Sequence, residues 1–140
     1  MEIKEGYKYL NNIKAVNMKI QRLKCSIAEM RLCAIPSQAA SGERVQSSKK
    51  GSAVERLAER ILELEKELDE ALEQKAKQLI EIEATLDTLK EGPEKAILYG
   101  FYIAGLSMSE ISEQIGYSIK HCYKLRRRGI EMLPNRNCEQ

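Results

Sequence analysis

Apolar side chains recur at alternating steps of three and four residues near the start of the chain, which is the spacing of one helix face. This row comprises Ile13, Val16, Ile20, Leu23, Ile27 and Met30. Ile3, Tyr7 and Leu10 extend it toward the start in a slightly shifted phase. The heptad pattern predicts a long helix over residues 2–34, which Pro36 ends.

A second apolar row predicts a helix over residues 53–91, with Ser52 as its N-cap. Its members are Leu57, Ile61, Leu64, Leu68, Leu72, Leu79, Ile82, Leu86 and Leu89. The four-residue step from Leu68 to Leu72 predicts a stutter, which locally unwinds a coiled coil. Gly92 and Pro93 then predict a helix stop followed by a restart.

Neither long helix can bury its apolar stripe alone, so residues 1–91 are predicted to form a long antiparallel helical hairpin or coiled coil. Residues 35–52 are rich in serine, glycine and charge, which predicts a flexible loop between the helices. The two rows could also pair between chains. We expect a homo-oligomer, such as a dimer, through the long helices.

The distribution of charge favours pairing of these two helices. Residues 1–34 carry seven Lys/Arg and three Asp/Glu, a net charge of +4. Residues 53–92 carry six Lys/Arg and twelve Asp/Glu, a net charge of −6. Opposite charges along the flanks of two helices stabilise their association.

Several classes of protein are disfavoured by the composition. The four cysteines, Cys25, Cys33, Cys122 and Cys138, form no CxxC pair, and the one histidine adjoins Cys122. We therefore expect no metal site, and Cys122 serves as a small core residue. No nucleophile–base constellation and no glycine-rich phosphate cradle is present, so we expect neither an enzyme nor a cofactor. No apolar run approaches membrane-spanning length, and we expect a cytoplasmic protein with no membrane partner.

The last third of the chain predicts a small three-helix domain over residues 93–133, followed by a tail at 134–140. Gly105 is placed to end its first helix in the left-handed conformation. Ser107 and Glu110 form a capping-box pattern that opens the second helix. Gly116 takes the turn and Ser118 caps the third helix. Its inward stripe is Cys122, Leu125, Gly129 and Leu133. Two helices joined by such a turn are typical of the helix-turn-helix unit.

The third helix carries five cations and no acid between residues 117 and 130. Basic helices of this kind lie in the major groove of DNA, where early residues meet base edges and later cations meet phosphates. The predicted DNA-binding residues are Ser118, Ile119, Lys120, His121, Tyr123, Lys124, Arg126, Arg127 and Arg128. Ile119, Lys120, His121 and Lys124 are assigned to base edges, with an exposed residue of no special role as the alternative for His121, and the three arginines are assigned to phosphate. Tyr123 contacts the DNA backbone or packs, and a solvated basic face is the alternative for the whole run.

The domain resembles region 4 of bacterial sigma factors. The similar stretches are Ile97-Leu98, Gly105-Leu106-Ser107, Glu110-Ile111, Ile115-Gly116, Ser118 and Arg128-Gly129-Ile130. The chain departs from that pattern at Ser112, Cys122 and Gly129, all small residues that we expect to preserve the packing. The resemblance implies binding to double-stranded DNA and a possible contact with RNA polymerase.

The whole chain is similar to small phage and prophage proteins of Gram-positive bacteria, which join two long helices and an E-R-V-Q-S-S loop to this C-terminal domain. Here the loop is residues 43–48. The resemblance implies an all-α transcription regulator of phage or prophage genes in the host cytoplasm. Nothing before residue 93 resembles the −10-binding region of a complete sigma factor.

Two alternative functions remain open from the sequence. The first is the small terminase subunit of a phage packaging machine, which also joins a helix-turn-helix to an oligomerising segment but in the opposite order. The second is an adaptor whose C-terminal domain binds protein rather than DNA.

Overall fold

The computed structural model describes residues 1–34 and 48–135, with side chains from residue 52 onward in the second range. All regular elements in these ranges are helices, which confirms the predicted all-α class. They are α1 (Ile3–Ala34), α2 (Ser48–Leu86), α3 (Pro93–Leu98), a π-helical segment (Tyr99–Ile103), α4 (Met108–Ile115) and α5 (Ile119–Glu131). Most of the predicted loop and residues 136–140 of the predicted tail lie outside the described residues.

The start of α2 corrects one prediction. The helix begins at Ser48 rather than at residue 53, so Ser52 lies inside the helix and does not cap it. The intervening residues contain no proline, and a glycine within a helix costs only about 1 kcal/mol. The chain can therefore continue the helix through Gly51.

The end of α2 also differs from the prediction, because the helix stops at Leu86 rather than at residue 91. Two threonines close its last turn: the Thr85 hydroxyl donates to the Glu81 carbonyl at 2.9 Å, and the Thr88 hydroxyl donates to the Thr85 carbonyl at 2.6 Å. Such side-chain bonds compete with the helical pattern. Gly92 has extended backbone and is the N-cap of α3, so it does not terminate α2, whereas Pro93 begins α3 as predicted.

The predicted stutter in α2 is wrong. Leu72 is 41% exposed, and Ala71 occupies the buried position beside it with 2% exposure. The buried and half-buried positions continue at regular steps through Lys75 and Gln78. The pattern of large apolar residues did not predict this register, because the inward positions are occupied by Ala71, Lys75 and Gln78.

The described chain divides into two compact units. One contains Val16–Gln74, and its core joins both long helices through Val16, Ile20, Leu23, Ile27, Leu64 and Ala71. An ion pair between Arg31 and Glu65 lies at the side of this core. No helix in the described ranges is both long and apolar enough to cross a membrane.

The other unit combines Met1–Ala15 with the described residues from Lys75 onward. Its larger core comprises Tyr9, Leu10, Ile13, Ile82, Leu86, Leu89, Leu98, Tyr102, Ile130 and Leu133. The first turns of α1 therefore pack against α5 as well as α2. The sequence predicted a domain boundary at residue 92. The structure differs, because the chain segment before Val16 shares a core with the C-terminal helices.

Candidate nucleic-acid interface

The entry to α4 has the predicted capping box. The Ser107 hydroxyl accepts a hydrogen bond from the Glu110 backbone N–H at 3.1 Å, and the Glu110 carboxylate accepts one from the Ser107 backbone N–H at 2.9 Å. Gly105 precedes it with φ of 73°, as its predicted left-handed role requires. A capping residue of this kind contributes about 1 kcal/mol to helix stability.

The turn between α4 and α5 is closed by backbone and side-chain bonds. Gly116 has φ of 85° and its N–H donates to the Ser112 carbonyl at 2.9 Å. The Ser112 hydroxyl donates to the carbonyl of Tyr117. Ser118 then caps α5, because its hydroxyl accepts from the His121 N–H at 3.2 Å. Ser112 thus bonds across the turn, a role that its small size alone did not predict.

The inner face of α5 packs on α3 and α4. Cys122 is fully buried with Ile97, Met108, Ile111 and Leu125 in the smaller core of this unit. A Cβ on Gly129 would lie 2.9 Å from the Leu98 side chain, so glycine allows α3 and α5 to approach closely. Gly129 thus preserves the packing, as expected, but an alanine at this position would require Leu98 to shift. The predicted inward stripe is confirmed, and Ile130 is buried beside it.

The outer face of α5 carries three exposed cations. Lys120, Lys124 and Arg127 are all exposed, and at 100° per residue they fall within an arc of about 60°. Arg127 forms an ion pair of 3.3 Å with Glu131, one turn later. Lys120 and Lys124 form no ion pair with any described residue. This face therefore presents a strip of positive charge about two turns long.

The three consecutive arginines have different surroundings. Arg127 lies on the strip, whereas Arg128 is 3.8 Å from the carboxylate of Glu94 on α3. Arg126 is half-buried, with its guanidinium carbon 5.0 Å from the Tyr7 ring centroid and 5.1 Å from those of Phe101 and Tyr123. The Nε–H of Arg126 is buried and donates to no partner among the described residues. Arg126 is one of the three arginines that were predicted to contact phosphate. In the structure it packs against aromatic rings.

Four uncharged or weakly basic side chains complete the predicted set. Ser118, Ile119, His121 and Tyr123 are exposed, and Ile119 and Tyr123 retain 46% and 47% of their accessible surface. The His121 ring meets the Tyr117 ring edge to face, with 5.0 Å between centroids. These residues border the positive strip. Tyr123 combines an exposed edge with its contact to Arg126, so it packs and also remains accessible.

Sequence reasoning missed the contribution of α1 to this region. The Lys14 ammonium lies 3.6 Å from the Phe101 ring centroid, and burial together with the Arg126 charge lowers the pKa of Lys14. A Cβ on Gly6 would clash with the Ile130 side chain. The sequence feature that could have indicated this contribution is the shifted apolar phase of Ile3, Tyr7 and Leu10. A shifted phase places these residues on a helix face that packs against a second neighbour.

The described residues contain no group of three His, Cys, Asp or Glu side chains that could hold a metal ion. No family model matches this chain, and neither a curated protein nor a solved structure matches it with significance. The resemblance to sigma-factor region 4 therefore stays a prediction.

Proposed function

We propose that this chain is a DNA-binding regulator of transcription in which α4 and α5 act as a helix-turn-helix, with α5 lying in the major groove of double-stranded DNA. The observation that carries the proposal is the exposed strip of Lys120, Lys124 and Arg127 on the second of two capped helices. Its two lysines are unpaired among the described residues. Such cations bind phosphate and base edges and release counterions from DNA.

The geometry around the strip suits a helix that enters a groove. The first turn of α5 presents Ile119, Lys120 and His121, and the N-terminal residues of a recognition helix are those that meet base edges. Arg127 lies one to two turns later, where phosphate is the expected contact. The apolar face of α5 is fixed by Cys122 and Leu125, so the outer face is held by a packed scaffold.

The second part of the proposal is that the two long helices form an antiparallel hairpin within one chain. Support comes from contacts inside one chain: Arg31 pairs with Glu65, and the Tyr9 hydroxyl lies 3.2 Å from that of Thr85.

The resemblance to phage and prophage proteins supports regulation of such genes in a bacterial host. RNA polymerase is the protein partner that the same resemblance implies.

The test is binding of the full chain to fragmented host and phage DNA across a salt series. The Lys124→Ala, Arg127→Ala double variant removes two cations of the strip. We expect it to weaken binding at least tenfold and to reduce the slope of log affinity against log salt by about 2. The matched control is Arg56→Ala, Lys66→Ala, which removes two exposed cations from α2 and should leave binding unchanged.

Equal binding by wild type and the Lys124→Ala, Arg127→Ala variant would overturn the assignment of the strip. Absence of binding to any fragment at low salt would overturn DNA binding altogether. Fragments enriched by the wild type would identify the controlled genes.

A protein-binding adaptor is the second candidate, and one observation favours it. Four large apolar side chains, Tyr117, Ile119, Tyr123 and Met132, are between 41% and 50% exposed on or beside α5. Apolar surface of this kind supports protein contacts that resist salt. Capture of bacterial RNA polymerase at high salt, abolished by Ile119→Ser, Tyr123→Ser and unaffected by Lys124→Ala, Arg127→Ala, would favour this function.

A further inference from the structure

A row of exposed side chains follows the outer face of α1 within the Val16–Gln74 unit. Met18, Cys25 and Leu32 are spaced by seven residues, and all three are exposed. Met18 retains 75% and Leu32 64% of its accessible surface. Two large apolar residues two heptads apart, with a cysteine midway between them, indicate a second packing face on this helix.

This row faces away from the intramolecular core. Cys25 projects about 140–180° from each of Val16, Ile20, Leu23 and Ile27 around the helix, at 100° per residue. Those four residues form the buried side of α1. Because α2 covers that side, it cannot also cover Met18, Cys25 and Leu32.

Two opposite charges lie within the same face. Arg22 and Glu29 are both exposed and follow Met18 and Cys25 by four residues each. Neither forms an ion pair with a described residue. By contrast, Arg31 lies at the side of the helix and pairs with Glu65 of α2. The outer face thus carries one unpaired cation and one unpaired anion at a fixed spacing.

We propose that a second copy of this chain covers this face, with the two α1 helices antiparallel about a two-fold axis at Cys25. Met18 of one chain then lies opposite Leu32 of the other, and the two Cys25 side chains meet at the axis. Arg22 of each chain lies within one residue, about 1.5 Å along the axis, of the level of Glu29 of the other. This is the self-complementary arrangement that a two-fold interface requires.

Charge selects this arrangement over a parallel one. Arg22 and Glu29 lie on the same side of the Cys25 direction, so in a parallel pair in register two-fold symmetry would place those of the two chains on opposite flanks of the contact, where they cannot pair. The antiparallel pair brings them to the same flank and forms two equivalent attractions. The contact spans about 21 Å of helix, which is short for a protein interface. We therefore expect a reversible dimer with a dissociation constant on the order of 10–100 µM.

Native cysteines provide the first test, on the full chain lacking Cys138 through Cys138→Ser. One variant adds Cys33→Ser and keeps Cys25; the matched control adds Cys25→Ser and keeps Cys33. Both keep Cys122, which is buried. Under mild oxidation, we expect a covalent dimer only in the variant with Cys25. Two Cys33 residues would lie about 24 Å apart along the axis, beyond disulfide reach. Equal crosslinking of the two variants, or none of Cys25, would overturn the proposal.

Charge reversal provides the second test, by sedimentation equilibrium of the reduced protein over a concentration series. Arg22→Glu alone and Glu29→Arg alone should each raise the dissociation constant about fivefold, because each creates two like-charge contacts. The double variant Arg22→Glu, Glu29→Arg should restore the wild-type value. A wild type that stays monomeric at hundreds of micromolar, or a double variant weaker than either single one, would overturn the antiparallel pairing. DNA binding is not measured in either test, so failure of one proposal is distinguishable from failure of the other.

Discussion

The guanidinium carbon of Arg126 lies 5.1 Å from the centroid of the Phe101 ring. Lys14 contacts the same ring from α1, so two cations and one aromatic side chain join three segments of the chain. Cation–π contacts of partly buried groups contribute about 1–2 kcal/mol. Arg126 therefore stabilises the fold, whereas its neighbour Arg127 lies on the exposed outer face of α5.

These roles predict opposite consequences for two adjacent arginines. Arg126→Ala should lower the free energy of unfolding by about 1–3 kcal/mol, since it removes both the ring contacts and the packed stem. Arg127→Ala should change that free energy by less than about 0.5 kcal/mol and weaken DNA binding. Urea unfolding and fluorescence anisotropy with labelled DNA measure the two quantities. A stability loss in the Arg127 variant as large as in the Arg126 variant would contradict this division.

Gly6 should resist replacement even though it lies inside a helix. Alanine normally stabilises a helix relative to glycine by about 1 kcal/mol. A Cβ at residue 6 would clash with the Cγ2 of Ile130, which is fully buried. We expect Gly6→Ala to destabilise the protein by about 1–3 kcal/mol.

The double variant Gly6→Ala, Ile130→Leu is the control for that clash. Leucine keeps the volume of isoleucine but has no Cγ2, so the double variant should be more stable than the sum of the two single effects. Thermal and urea unfolding of all four proteins complete the cycle. Strict additivity would show that the clash is not the cause.

Tyr102 predicts a loss of stability at high pH. Burial raises the pKa of Tyr102 to about 12 from its ordinary value of 10.0. Above pH 10 the unfolded chain ionises this phenol while the folded chain does not, so stability falls as the pH rises from 10 toward 12. In Tyr102→Phe this contribution is absent. The difference in unfolding free energy between variant and wild type should therefore widen, in favour of the variant, over that range.

The same substitution has a second effect that does not depend on pH. The Tyr102 hydroxyl is buried without a hydrogen-bond partner among the described residues. An unpaired buried polar group costs about 1–3 kcal/mol. Tyr102→Phe should thus be at least as stable as the wild type at neutral pH, and a clear loss there would indicate that the hydroxyl has a partner.

Gly116 is constrained by backbone conformation and not by space. Its φ is 85°, and a Cβ there would meet no atom within 4 Å. Gly116→Ala should therefore cost about 1–2 kcal/mol, and Gly116→Asn should cost less because asparagine tolerates the left-handed region. Equal costs for the two variants, measured by urea unfolding, would contradict a purely conformational role.

Local chemistry made the α4–α5 region predictable. The capping box at Ser107, the cap at Ser118 and the turn at Gly116 each depend on residues within five positions, so their pattern is visible in the sequence. The inward position of Cys122 follows from the helical period in the same way. The all-α class followed from long periodic segments, which are the strongest sequence signal.

Contacts between distant segments were not predictable by the same means. Arg126 is one of five cations on α5, and its contacts with the rings of Tyr7 and Phe101, which lie in other segments of the chain, distinguish it from Arg127. In α2, hydropathy ranks Leu72 above Ala71, yet packing buries the alanine. The π-helical segment Tyr99–Ile103 has no sequence signature, whereas the left-handed Gly105 two residues after it was predictable.

The close approach of Gly6 to Ile130 affects the order in which the parts of the chain fold during synthesis. These residues are separated by more than a hundred others, and such contacts carry a high loop-closure entropy and form slowly. During synthesis the first turns of α1 must wait, without their final neighbours, until nearly the whole described chain has been made. The Val16–Gln74 unit contains no such delay, since both of its helical segments emerge early. Nascent chains arrested once residue 90 has emerged from the ribosome should therefore protect Leu23 from proteolysis more than Leu10.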